Sequence, residues 1–191
     1  CPSISENLFG GQNFQDLLEW WQDENTMNRH LWPGLNTVEV KAANRSTEIV
    51  NQIKITADVL NKNSVGAIHY SVAGLTDNSE MIPALKNGPY KEKALIPNSP
   101  WMKADKLPKP TMKVQNDVKD ILVSWNVDDV SKVFQWVVYT KYDNDWSYEI
   151  VNHNTYASKI LKNKDGKSLN TIAIKAIDRL GNESDYAAKK I

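Results

Sequence analysis

The chain has 191 residues, 41% of them hydrophobic, and its 23 Lys and Arg are balanced by 23 Asp and Glu. That length accommodates two small domains or one medium one, and the apolar fraction supports packed cores. Zero net charge supplies no long-range field toward nucleic acid or an anionic membrane surface, and no apolar run approaches the roughly 18 residues of a transmembrane helix.

The single cysteine, Cys1, excludes an intramolecular disulfide. As a mature terminus it would be the residue that lipoprotein processing leaves, and a lipid anchor would follow. In a chain cut from a longer one it is an ordinary small residue, the reading favoured by the incomplete sheet described next. Taken in order, Asn13 can cap a first helix in which Phe14, Leu17, Leu18 and Trp21 share a buried stripe. Residues 30–35 read as a short strand ending in a Pro33-Gly34 loop. Ser46 can cap a second helix with the stripe Ile49, Val50, Ile53, Ala57 and Leu60. Residues 65–72 read as a strand buried on both faces, and a last helix over 80–86 stops at Gly88. Strands separated by helices are expected to be parallel, yet two parallel strands cannot make an independent sheet. The pattern therefore predicts the end of a larger parallel α/β fold, whose remaining part, or an oligomeric partner, would cover the exposed sheet edges.

Pro97, Pro100, Pro108 and Pro110, with the charged run 103–109, predict a solvated linker in which Trp101 packs onto a domain face. Beyond it the period becomes two. Ile121, Val123, Trp125 and Val127 alternate on one strand, Trp136 and Val138 on the next. Further strands over 146–151, 157–161, 169–177 and 186–191 predict an antiparallel sandwich with Trp125 and Trp136 in its core. Trp146 and Tyr148, beside Asp143 and Asp145, are candidates for a surface contact.

The second half resembles a fibronectin type III domain: it opens on Pro108-Lys109-Pro110, holds Trp125 on its second strand, and carries Ala176-Ile177-Asp178 followed by Gly181-Asn182-Glu183-Ser184. The family's corner tyrosine would fall near Asn170, where this chain has none. The first half resembles the C-terminal end of a bacterial glycosyl hydrolase-like family of TIM barrels. The matching segments are Leu17-Leu18-Glu19-Trp20-Trp21, Arg29 to Leu35, Gly66 to Ser71, and Ala84 to Tyr90 with Ala94 to Pro97 and Ser99 to Trp101. The fold class implied is α/β plus all-β: a partial TIM barrel over 1–107, its strands the seventh and eighth, then a fibronectin type III-like sandwich over 108–191.

In such a barrel the site lies at the C-terminal strand ends. The resemblance points to His30, Trp32, His69 and Ser71 as substrate-binding residues, with Trp32 a stacking platform, and to Glu39 and Asp77 as loop carboxylates. Glycoside hydrolysis needs two carboxylates flanking the bond, and neither strand carries one, so the catalytic acids are expected on earlier strands. His30, His69 and His153 have no metal-ligand spacing, Gly10 and Gly11 read as a turn, no cofactor is implied, and the sequons at Asn44 and Asn182 are ordinary chance patterns. Trp21, on the buried stripe, is expected in the core. The leading expectation is the C-terminal part of an exported glycoside hydrolase-like protein, periplasmic or on the cell surface, acting on a glycan. The alternative is a non-enzymatic carbohydrate- or protein-binding adhesion module built on the sandwich.

Overall fold

The computed structural model describes residues 13–39, 46–61 and 66–191. Cys1, the turn at Gly10 and Gly11, the sequon asparagine Asn44 and the strand start at Val65 lie outside the described residues. Two compact units, Cys1–Glu92 and Lys93–Ile191, make up the chain. The boundary anticipated at 107/108 falls inside the second.

In the first unit, helix α1 (Phe14–Glu24) is capped as its sequence predicts, Asn13 Oδ1 accepting from the Gln15 amide at 2.9 Å. Its buried stripe is narrower than the periodicity predicts. Only Leu18 is buried and Phe14 is partly covered, whereas Leu17, Trp20 and Trp21 are 41%, 51% and 52% exposed. The placing of Trp21 in the core is thus corrected: α1 packs through Phe14 and Leu18, which leaves its flank open. Helix α2 (Ser46–Leu60) buries Ile49, Gln52, Thr56 and Leu60, a stripe turned from the apolar one so that Ala57 is exposed. The two polar groups are satisfied locally, Thr56 Oγ1 donating to the Gln52 carbonyl at 2.7 Å and Gln52 Nε2 to Glu48 at 2.9 Å.

Strands β1 (Gly34–Asn36) and β2 (Ile68–Tyr70) pair in parallel, with Gly34 opposite Ile68, Leu35 opposite His69 and Asn36 opposite Tyr70. Both are shorter than predicted, and the Pro33-Gly34 step enters β1 instead of ending it. A five-residue helix α3 (Val72–Thr76) follows β2 directly, then α4 (Met81–Asn87), stopped at Gly88. Leu35, Ile49, Met81 and Leu85 form the core between sheet and helices. The opposite face is uncovered: Ile68 and Tyr70 are 56% and 68% exposed. The expectation that β2 is buried on both faces is therefore not met, because the described helices pack on the Leu35 side of the sheet and Ile68 and Tyr70 stay exposed.

The second unit is an antiparallel sandwich. One sheet runs β3 (Thr111–Asn116), β4 (Asp120–Asn126), β7 (Ala157–Leu161). The other runs β10 (Ala187–Lys190), β9 (Lys167–Ile177), β5 (Gln135–Tyr142), β6 (Asp145–Asn152), with the two-residue β8 (Asn163–Lys164) paired to β9. The period-two reading located β4, β5, β6, β7, β9 and β10; β3, whose inward Met112 and Val114 are only partly buried, was not predicted. Ile121, Val123, Trp125 and Val127 all face the core, as the alternation predicts, and Trp136 is fully buried. The two indoles meet edge-on at 6.4 Å, and Trp136 Nε1 donates to the His153 carbonyl at 3.0 Å.

Residues 93–107 are not a solvated linker. Leu95 packs on Val137, Ile150 and Ile177, an apolar cluster on the outer face of the four-stranded sheet, and Leu107 is 3% exposed within the sandwich core. Tyr148 Oη donates to the Lys93 carbonyl at 2.8 Å, and the Ser99 amide to the Leu180 carbonyl at 3.0 Å. The proline and charge content misled because two apolar side chains in that stretch, Leu95 and Leu107, anchor it. Trp101 keeps 38% of its surface exposed.

The Asp178 to Ser184 motif closes the turn between β9 and β10. The Asp178 carboxylate accepts from the amides of Leu180 and Asn182 and from Asn182 Nδ2, each at 2.8 Å. Gly181, at φ +77°, admits the backbone of Ile96 and Pro97. Glu183 pairs with Lys175 at 2.6 Å, and buried Ser184 accepts from the Ala176 amide at 2.9 Å. The motif is a structural clasp.

Candidate functional site

The C-terminal end of the two-stranded sheet is pinned from β1. Thr37, fully buried, donates its amide to the Tyr70 carbonyl at 2.7 Å and its hydroxyl to the Ser71 carbonyl at 3.0 Å. The Tyr70–Ser71 peptide bond is cis. Gly74 in α3 lies so close to Thr37 that an added Cβ would stand 2.4 Å from its backbone, so only glycine fits there. These contacts fix two strand ends side by side, the rigid framework that a binding site needs.

Side chains alternate across a strand, which sorts the candidates by face. Leu35 and its register partner His69 point toward the helices. His69 is half-buried there, its Nε2 sharing a 2.8 Å hydrogen bond with the Tyr90 hydroxyl and the two rings meeting edge-on at 5.8 Å. Its Nδ1 is buried with no hydrogen-bond partner among the described residues. Burial holds the imidazole below its ordinary range and pushes the Tyr90 phenol up. Asn36 and Tyr70, one residue along each strand, lie on the open face.

The candidates also separate along the strands. Trp32 precedes β1, 49% exposed, with its ring 3.6 Å from where a Cβ on Gly66 would stand. His30 lies further toward the N-terminal side. At about 3.3 Å per residue, Trp32 is some 13 Å from Asn36 in an extended chain. Ser71, Glu39 and Asp77 belong to the other end: Ser71 begins α3, the Glu39 amide donates to Asn36 Oδ1 at 3.4 Å, and Asp77 caps the end of α3. Asn36, Ser71 and Glu39 therefore belong to the C-terminal end, Asp77 follows at the far end of α3, His30 and Trp32 sit at the entry, and His69 faces the helices. Tyr70 was visible in the sequence only as the neighbour of His69; alternation from the helix-facing Leu35 is the signal that places it. Among the described residues no group of three His, Cys, Asp or Glu side chains is placed to hold a metal ion, and no described helix is long and apolar enough to cross a membrane.

No protein-family model matches the sequence, and no curated protein matches it. Solved structures give loose likenesses. The spore cortex lytic enzyme SleM of Clostridium perfringens is similar over 93% of this chain and 76% of its own, at 15% identity and a TM-score of 0.38. A fibronectin type III domain of human collagen XX is similar over 49% of this chain and all (100%) of its own, at 11% identity and a TM-score of 0.36. Pectate lyase PelI of Erwinia chrysanthemi is similar over 42% of this chain at 16% identity and a TM-score of 0.34, and the chain spans only 28% of that enzyme's length.

Proposed function

We propose that this chain is the C-terminal part of a glycoside hydrolase-like protein acting on a glycan, with the sandwich as an accessory module. One observation carries the reading: a parallel pair of strands has helices packed on one face and an open opposite face, with the register partners Asn36 and Tyr70 toward its C-terminal end. Parallel sheets are covered on both faces in stable folds, so further strands belong against this one. The site then contains Asn36, Tyr70 and Ser71, with Glu39 and Asp77 on the loops above. The principal acid and nucleophile or base come from the strands that complete the sheet.

The test is an assay of this chain on polysaccharides and aryl glycosides. Binding without turnover is the expected result. Hydrolysis by the chain alone, abolished by Glu39→Gln, would show that the catalytic pair is already present and would overturn the division of labour proposed here.

A further inference from the structure

The open face of the β1–β2 sheet is not uniform. Toward the entry it carries Gly34 and Ile68, with Trp32 just before β1; toward the C-terminal end it carries Asn36 and Tyr70. The first group has no hydrogen-bonding capacity beyond one indole N–H and suits coverage by protein side chains. The second adds an amide with two N–H donors, its oxygen accepting from the Glu39 amide at 3.4 Å, beside Tyr70, which is 68% exposed. Sealing Asn36 under a dry protein layer would strand its side-chain N–H donors, which burial penalises.

We infer that Asn36 and Tyr70 form the sugar-contacting level of the site, and that Trp32, Gly34 and Ile68 form an apolar level beneath it that protein covers. This rests on the glycan-binding reading above. The two side chains project from register partners on adjacent strands, about 4.8 Å apart. A pyranose stacked on the tyrosine ring would bring an equatorial hydroxyl within reach of the amide, the combination of apolar ring face and directional polar group that sugar recognition uses. The platform is preorganised, because the Tyr70 carbonyl is held by the Thr37 amide at 2.7 Å and Thr37 is fully buried. His69 takes no part in contact with the sugar; it faces Tyr90 on the far side of the strand.

The experiment probes the chain with an array of plant, microbial and animal oligosaccharides and titrates the strongest hit by calorimetry against Tyr70→Ala, Asn36→Ala, Ile68→Ala and His69→Gln. Tyr70→Ala and Asn36→Ala should each weaken binding by about tenfold or more while leaving the melting temperature close to that of the parent. Ile68→Ala should leave affinity within about twofold. The side-chain amide resonances of Asn36 should shift on titration in the parent protein. Binding that survives both Tyr70→Ala and Asn36→Ala, or is lost instead in Ile68→Ala or His69→Gln, overturns this assignment and leaves the glycan-binding reading standing. If the parent protein binds nothing on the array, that reading fails and this inference with it.

Discussion

A Cβ added to Gly181 would lie 2.6 Å from the carbonyl oxygen of Ile96, far inside any tolerable contact. The residue therefore answers two demands at once, a left-handed backbone at φ +77° and space for the strap that crosses it. Gly166, at φ +78°, meets only the first, since nothing lies within 4 Å of its added Cβ.

The pair separates backbone strain from steric exclusion. Gly166→Ala should cost about 1 kcal/mol, the left-handed penalty alone. Gly181→Ala should cost about 3 kcal/mol, because the backbone of Ile96 and Pro97 must also move. Chemical denaturation measures both, and limited proteolysis should show faster cleavage within 93–107 in Gly181→Ala only. Equal costs would mean that the strap contact contributes nothing.

Stability should fall as the medium is acidified through the histidine range, and His69 should be responsible. Its folded-state pKa lies below the ordinary 6.5 because burial disfavours the imidazolium. Above 6.5 neither the folded nor the unfolded chain carries the proton. Below it the unfolded chain takes up a proton that the folded chain resists, so stability drops until the depressed folded value is reached. Melting temperatures of the parent and of His69→Gln, compared between about pH 7 and 5.5, should diverge, with the variant flatter. Parallel curves would remove His69 from the account.

Tyr142→Phe removes a bond between the two sheets, in which the hydroxyl on β5 donates to the Leu161 carbonyl on β7 at 2.7 Å. The side chain is 8% exposed, so the loss should be about 1 kcal/mol in urea unfolding. A value near zero would mean that water replaces the bond without penalty.

The two core indoles should respond unequally to phenylalanine. Trp136 Nε1 has its acceptor in the His153 carbonyl, whereas buried Trp125 Nε1 has no acceptor among the described residues. Trp136→Phe forfeits a made hydrogen bond, and Trp125→Phe removes an unsatisfied donor along with similar apolar area. Trp136→Phe should therefore be the more destabilising by about 1 kcal/mol, read from denaturation midpoints at constant slope. The reverse order would refute the argument.

Where a local period met a packed partner, the chain was legible before folding was considered. Ile121, Val123, Trp125 and Val127 alternate and are all buried, and Asn13 and Gly88 punctuate their helices as their chemistry suggests. Legibility failed where burial depends on what lies opposite. Trp21 and Leu17 fit a helical stripe yet remain exposed, and Gln52 and Thr56 are buried because α2 turns its polar residues inward and bonds them to itself. For the candidate residues, motif likeness carried no information on which face of the sheet each side chain occupies. His69 was singled out by residue type, while register with Leu35 turns it toward the helices and brings Tyr70 to the open side.

The strap over 93–107 changes what counts as a transferable module. Val137, Ile150 and Ile177 are on the outside of the sheet, at 1%, 9% and 0% exposure, and Leu95 is packed against them. A sandwich grafted elsewhere from Pro108 onward would present that cluster as a sticky patch prone to self-association. One taken from Lys93 carries its own cover, so recombination between proteins that preserves solubility must cut before the strap.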